Sequence, residues 1–214
     1  MSMIELVKDQ TNRMLGRQKH CCRICQMEGE FISYLAREMM YGLRDEFEYF
    51  VCDYCGCLQI ANIPEDLSRY YRKDYYSFQA QDKIDENYVF SSLATNHQRI
   101  LDVGCGSGGR LLKLARLGYD KLFGCDPFIQ EDIRYGNRVF IQKSTIHKVE
   151  GVEQFDRIIM TDSFEHVIDP LEVLQSANRL LKEDGVLQIE IPTFPNIALK
   201  CLDHIGFNWM HRDT

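Results

Sequence analysis

Two carboxylates bracket a glycine-rich turn near the middle of this chain. Asp102 stands two residues before Gly104, and Asp126 stands 22 residues after it. Gly104, Gly106 and Gly108, with Cys105 among them, let the backbone pass close beneath a ligand, and the helix that follows offers unpaired N–H groups. The glycines alone leave the ligand open, because Gly104, Gly106 and Gly109 also satisfy the dinucleotide spacing G-x-G-x-x-G. Asp102 narrows the choice, since a carboxylate is repelled by a pyrophosphate and attracted by a cationic ligand. Asp126, followed by Pro127, falls where an acidic residue ending a second strand accepts hydrogen bonds from ribose hydroxyls; outside that register, an Asp before Pro is a turn or a cap.

A second constellation is built from sulfur. Cys22 and Cys25 form one C-x-x-C pair and Cys52 and Cys55 another, with 26 residues between them. Each pair makes a tight knuckle that aims two thiolates at one centre, and two knuckles complete a closed, structural Zn2+ site with no open position for chemistry. Cys21 and Cys57 flank the pairs and are the substitutes if the register shifts. The alternative is a set of buried, unliganded thiols.

The elements that must position these groups follow from periodicity. Residues 1–19 carry a loose apolar side (Met3, Leu6, Val7, Met14, Leu15) that predicts a short amphipathic helix. Residues 31–34 and 47–51 alternate enough to be the strands of a ribbon, and a segment this small needs its metal to stay folded. Residues 1–60 are thus a helix and zinc ribbon. Residues 61–97 form a connecting segment rich in tyrosine (Tyr70, Tyr71, Tyr75, Tyr76, Tyr88), suited either to facing a ligand or to gluing the ribbon to the rest.

From residue 98 to 214 strands and helices alternate, which predicts an α/β, doubly wound, mostly parallel sheet. Strands are expected at 99–103, 121–125, 138–142, 155–160 and 186–191. One helix follows the glycine turn, and another starts at Asp169-Pro170 and stops at Asp184-Gly185. Ligands bind outside the carboxyl ends of such strands. That rim collects Gly104–Gly108, Asp126, Ser144 (at the border of the ligand's base) and the run Asp162, Ser163, Phe164, Glu165, His166.

Bulk properties exclude several classes. The 214 residues carry a formal net charge of -7, which counts against a partner held mainly through phosphates. No apolar run approaches the roughly 20 residues that span a bilayer, and Glu5, Lys8 and Asp9 break any signal-peptide core. Nine cysteines, six of them between positions 21 and 57, read as metal binding in a reducing, cytoplasmic setting.

The motifs ILDVGCGSG, GCDP, FDRIIMTDSFEHVIDPLEVL and LLKEDGVLQIEIP together resemble a class I S-adenosylmethionine-dependent methyltransferase. The paired cysteines followed by LSRYYRKDYYSF are similar to the zinc-binding N-terminal region of a bacterial branch acting on sugars and natural-product intermediates. The resemblance implies a Rossmann-like methyltransferase sheet and S-adenosylmethionine as cofactor. In it Asp102 anchors the methionine end, the three glycines wrap it, Asp126 holds the ribose, and Ser144 stands where an acidic residue often reads the adenine. Asp162 and Ser163 lie on the same rim. His166 is the first candidate for a base and Glu165 the second, as base or as the group orienting that ring. A Glu-His here serves equally to cap the helix or line the pocket. Trp209, His211 and Arg212 would line the acceptor pocket.

The expected reaction is methyl transfer to a small metabolite, most readily a sugar or nucleotide-sugar. Alternatives are an RNA methyltransferase gripping its substrate through the ribbon, a non-catalytic S-adenosylmethionine-binding protein, and a nicotinamide-dependent oxidoreductase. Relatives continue through a further helix and an antiparallel strand pair, so the chain is expected to be a truncated form whose sheet lacks its last strands.

Overall fold

The computed structural model describes residues 13–39, 41–72, 78 and 97–191. The chain divides into two compact units, the first ending at Glu65 and the second spanning Asp66–Ile191.

The first unit is a four-stranded antiparallel sheet in the order β1 (Arg13–Cys21), β2 (Glu28–Arg37), β3 (Glu46–Val51), β4 (Leu58–Ile60). The helix expected over residues 1–19 is corrected from Arg13 onward, where the chain is extended; residues 1–12 lie outside the described residues. Two apolar side chains, Met14 and Leu15, are too few to hold a helix. Pairing from Arg13↔Leu35 to Cys21↔Glu28 satisfies the backbone instead and delivers the chain extended into the first knuckle. A bulge between Met14 and Gly16 uses the positive φ of Gly16. The core of this unit is small: Cys22, Phe31, Phe50 and Cys52.

The second unit contains β5 (Arg99–Val103), α1 (Gly109–Arg116), β6 (Lys121–Cys125), β7 (Ile133–Tyr135), β8 (Val139–Gln142), β9 (Phe155–Thr161), α2 (Pro170–Leu180) and β10 (Leu181–Glu190). Its sheet runs β10-β9-β5-β6-β8-β7. All pairings are parallel except β7 against β8. Adjacent residues in β5 and β9 send side chains to opposite faces. Ile100 and Ile159 join Leu111 and Leu114 of α1 on one face, while Leu101 and Ile158 join Val173, Ala177 and Leu180 of α2 on the other. Both faces are covered, as a mostly parallel sheet requires.

Strand β7 was not expected. It is three residues long, flanked by polar residues, and turned by Gly136 at φ 59°, so it shows no alternation to read. The second helix also ends earlier than its apolar pattern suggests. Asp169 caps it by accepting from Glu172 N–H at 3.0 Å, and Pro170 opens it. At the other end, Leu181 pairs with Phe155 in the sheet, and the N–H groups of Glu153 and Gln154 satisfy the carbonyls of Arg179 and Leu180. A strand thus takes the residue that would have continued the helix.

Where α1 packs on the sheet, β6 presents a glycine, Gly124. A Cβ on Gly124 would lie 2.5 Å from Cys105 Sγ and 2.9 Å from Leu111 Cδ1.

Candidate functional site

The parallel strands end together at one rim, and the turn after β5 is held there by the backbone. Gly104 N–H donates to the Cys125 carbonyl at 2.8 Å, and Gly108 N–H to that of Cys105 at 2.9 Å. Gly104, Gly106 and Gly108 all have positive φ, which favours glycine. Close packing adds to this at Gly104, where a Cβ would stand 2.5 Å from Ser163 Cβ.

Asp126 ties two loops into this turn. Its carboxylate accepts from Gly106 N–H at 2.9 Å and Phe128 N–H at 2.8 Å. It is buried, and burial raises its pKa while those N–H groups oppose the rise. The Ile129 N–H also bonds to it; a carboxylate offers about four acceptor sites, so capacity remains for about one more donor. The following Pro127 is exposed.

Asp102 is 4% exposed at the end of β5. Burial pushes its carboxyl up to about 6; Arg110 opposes the rise and Asp126 adds to it. Arg110 Nε lies 3.7 Å from Asp102 Oδ2, and Arg110 Nη1 donates to Thr161 Oγ1 at 2.6 Å. Ser144 is buried after β8. Its N–H donates to the Gln142 carbonyl, and its hydroxyl has no hydrogen-bond partner among the described residues.

The run after β9 joins the same rim. Asp162 holds a left-handed φ of 49°, and its N–H donates to the Glu190 carbonyl. Ser163 Oγ donates to the Val103 carbonyl at 2.8 Å, stapling the end of β9 to that of β5. Glu165 and His166 lie in a single 3-10 turn, with His166 Nε2 3.8 Å from Glu165 Oε1. Burial raises the Glu165 carboxyl, opposed by His166. The imidazole is half exposed and stands edge-on to Tyr71 at 6.4 Å. Tyr71 in turn stacks on Phe128 at 4.0 Å.

The sequence reading therefore missed Arg110, Thr161, Phe128 and Tyr135, whose hydroxyl donates to the Ser107 carbonyl under the turn. Only the arginine directly after GSGG and the aromatic two residues past Asp126 left any signal. It left Tyr71 undecided between facing a ligand and gluing the ribbon. Trp209, His211 and Arg212 lie outside the described residues.

In the first unit the sulfurs of Cys22, Cys25, Cys52 and Cys55 all lie within 4.8 Å of one another. Cys22–Cys55 and Cys25–Cys52 are each 3.6 Å apart, far beyond the ~2.05 Å of a disulfide. A tetrahedral ion with ~2.3 Å bonds to sulfur would set them about 3.8 Å apart, so the donor set fits a zinc-sized dication. The two knuckles repeat one geometry. Gln26 N–H donates to the Cys22 carbonyl and Gly56 N–H to that of Cys52, and both residues are left-handed, at φ 60° and 71°. Gln59 reaches Cys22 Sγ with Nε2 at 3.1 Å and accepts from Arg23 N–H at 2.9 Å. Cys21 and Cys57 fall outside the group of four.

A family model described as a methyltransferase domain matches residues 70–210. Among curated proteins, the chain is similar to the ubiquinone biosynthesis O-methyltransferase of Haemophilus ducreyi, with 35% identity over 103 residues, 42% of this chain and 43% of that protein. It is also similar to the tRNA U34 carboxymethyltransferase of Campylobacter hominis, with 25% identity over 140 residues, 54% of this chain and 49% of that protein. The chain thus spans less than half the length of either. A solved Thermotoga maritima structure, described as a SAM-dependent methyltransferase and possible histamine N-methyltransferase, aligns with TM-score 0.39 and 23% identity over 50% of this chain and 51% of that one.

Proposed function

The chain belongs to the methyltransferase-domain family, and from that premise we propose that it binds S-adenosylmethionine at the rim of the second unit and methylates a small-molecule acceptor. One observation carries the reading: two buried carboxylates, Asp102 and Asp126, flank a left-handed glycine turn at the ends of parallel strands. The ligand's sulfonium and ammonium charges suit carboxylates, and its ribose needs acceptors. The bound cofactor supplies an activated methyl group, so the protein's work is mainly orientation.

Asp102 faces the amino-acid end, and Gly104, Gly106 and Gly108 leave room beneath it, with Cys105 inside the turn. Asp126 uses its remaining acceptor capacity for the ribose, and Pro127 shapes the exit of the loop. The buried hydroxyl of Ser144 offers the base a partner, and the ring of Phe128 offers it a face. Asp162 and Ser163 fix the loop that carries Glu165 and His166. Of these, His166 takes the acceptor's proton where the acceptor is a hydroxyl or an enolisable carbon, and Glu165 orients or replaces it. Cys22, Cys25, Cys52 and Cys55 hold one structural Zn2+ that folds the ribbon. A sugar or nucleotide-sugar acceptor is the finer form of the reading, supported by the pairing of a four-cysteine ribbon with this sheet.

Calorimetric titration of the zinc-loaded chain tests the cofactor. S-adenosylmethionine should bind and NAD should not; the reverse, or no binding at all, rejects the reading. Asp126→Ala should weaken binding by about 1.5–3 kcal/mol for each ribose hydrogen bond lost, and unchanged affinity would remove Asp126 from that role.

One observation favours an RNA acceptor: similarity to a tRNA U34 carboxymethyltransferase. The net charge of -7 opposes it. An electrophoretic shift with total RNA that persists above physiological salt would move the assignment to RNA.

A further inference from the structure

Strand β4 is laid inside out. Its apolar Leu58 is 39% exposed, while the next residue, Gln59, is buried at 7%. Burying an amide costs free energy unless its polar atoms are hydrogen-bonded, so a glutamine where an aliphatic core residue would fit needs a reason. The reason lies in the first knuckle. Gln59 Oε1 accepts from Arg23 N–H at 2.9 Å, and Gln59 Nε2 donates to Cys22 Sγ at 3.1 Å. A backbone N–H can only donate, so it fixes which end of the amide faces it and leaves the NH2 group to the sulfur.

The second knuckle has no such support. Its counterpart of Cys22 is Cys52, just as fully buried, and among the described residues no side-chain N–H reaches Cys52 Sγ. Its counterpart of Arg23 is Asp53, whose carboxylate takes the Arg17 guanidinium at 2.8 Å. That pair is about half exposed, and exposed pairs contribute little. Four thiolates around one dication leave an excess of negative charge, which a buried N–H aimed at one sulfur offsets at that ligand alone.

We propose that Gln59 is a positioning residue of the metal centre: its amide fixes Cys22 and the backbone of the first knuckle together, so that the centre is anchored at Cys22 and yields first at Cys52. The inference rests on the zinc reading above. It adds an inequality between ligands that four equivalent cysteines would lack.

Labelling the cysteines of the whole, zinc-loaded chain with N-ethylmaleimide, resolved by peptide mass, tests it without reference to activity. Cys22 and Cys52 are equally buried, so exposure does not order them. In the wild type Cys52 should be modified about tenfold or more faster than Cys22, and Gln59→Leu should bring the two rates within about threefold. Metal affinity, from competition with a chelator, should fall about 10–100-fold in Gln59→Leu. Gln59→Glu keeps the acceptor for Arg23 N–H and loses the donor to sulfur, and its affinity should fall at least as far. With Co2+ in place of zinc, both variants should shift the sulfur-to-metal charge-transfer band, which a purely packing role would leave unmoved. Equal labelling of Cys22 and Cys52 in the wild type, or wild-type affinity in Gln59→Glu, overturns the inference. The wild-type labelling order decides it even if a variant misfolds. A wild type whose ribbon stays folded while binding neither Zn2+ nor Co2+ overturns the zinc reading and this inference together.

Discussion

In the N-terminal unit, two of the four core residues are sulfur donors, Cys22 and Cys52 beside Phe31 and Phe50. The α/β unit instead buries two clusters of nine residues each, one on either face of its sheet, and neither contains Asp102 or Asp126. In the ribbon, the group that could bind a ligand and the group that maintains the fold are the same. In the α/β unit they are separate, so a costly buried carboxylate can be kept because leucines and isoleucines elsewhere hold the sheet. A small unit has no such reserve.

Removing the proposed zinc should therefore separate the two units by the largest margin. Structural zinc contributes on the order of 10–16 kcal/mol in isolated finger peptides near neutral pH. Stripping it with a chelator, or replacing Cys25 and Cys55 together by Ser, should abolish amide-exchange protection in β2 and β3 and leave β5 and β9 protected. Protection retained in the metal-free ribbon would break the contrast. Truncating the other core should do the opposite: Leu111→Ala should cost the α/β unit about 2–5 kcal/mol in denaturant unfolding with zinc content unchanged.

The units should also respond to pH with opposite signs. The Asp102 carboxyl sits at about 6 in the folded state against 3.8 ordinarily. Its contribution to stability is full below about 4 and is lost as pH rises through 6, about 3 kcal/mol in all. Asp102→Asn should flatten that part of the stability profile. The ribbon's thiolates must be deprotonated to hold metal, so its stability falls as the pH is lowered. Parallel profiles for the two units would remove the distinction.

The smallest effect tests the likeness of the two knuckles. Gln26 occupies the left-handed position that Gly56 fills in the other pair, so Gln26→Gly should raise the ribbon's melting temperature, with a gain of about 1 kcal/mol. A loss would mean that the Gln26 amide, which donates to the Arg23 carbonyl at 3.0 Å, outweighs its backbone strain.

Features fixed by local spacing could be read from the sequence: the two C-x-x-C pairs, the glycine turn, and the strands that feed Asp102 and Asp126. They depend on which residues are neighbours along the chain. What stayed hidden depends on pairing across it. Arg13–Cys21 is a strand because β2 is there to accept it, and Ile133–Tyr135 because β8 is. Arg110 pairs with a residue 51 positions away, and Tyr71 with one on the loop after β6, so no periodicity announces either. The early end of α2 has the same origin, a carbonyl count settled by Glu153 and Gln154 from another segment.

Gly124 carries a consequence for anyone reading tolerance to substitution. A side chain there would press on Cys105 within the glycine turn and on Leu111 of α1, displacing the cradle without meeting anything bound in it. In a saturation scan scored by activity, position 124 would behave as a ligand contact, intolerant even of alanine. A second change, Cys105→Ala, would recover part of the loss, and so would mark it as a spacer that sets how deep the turn sits on the sheet.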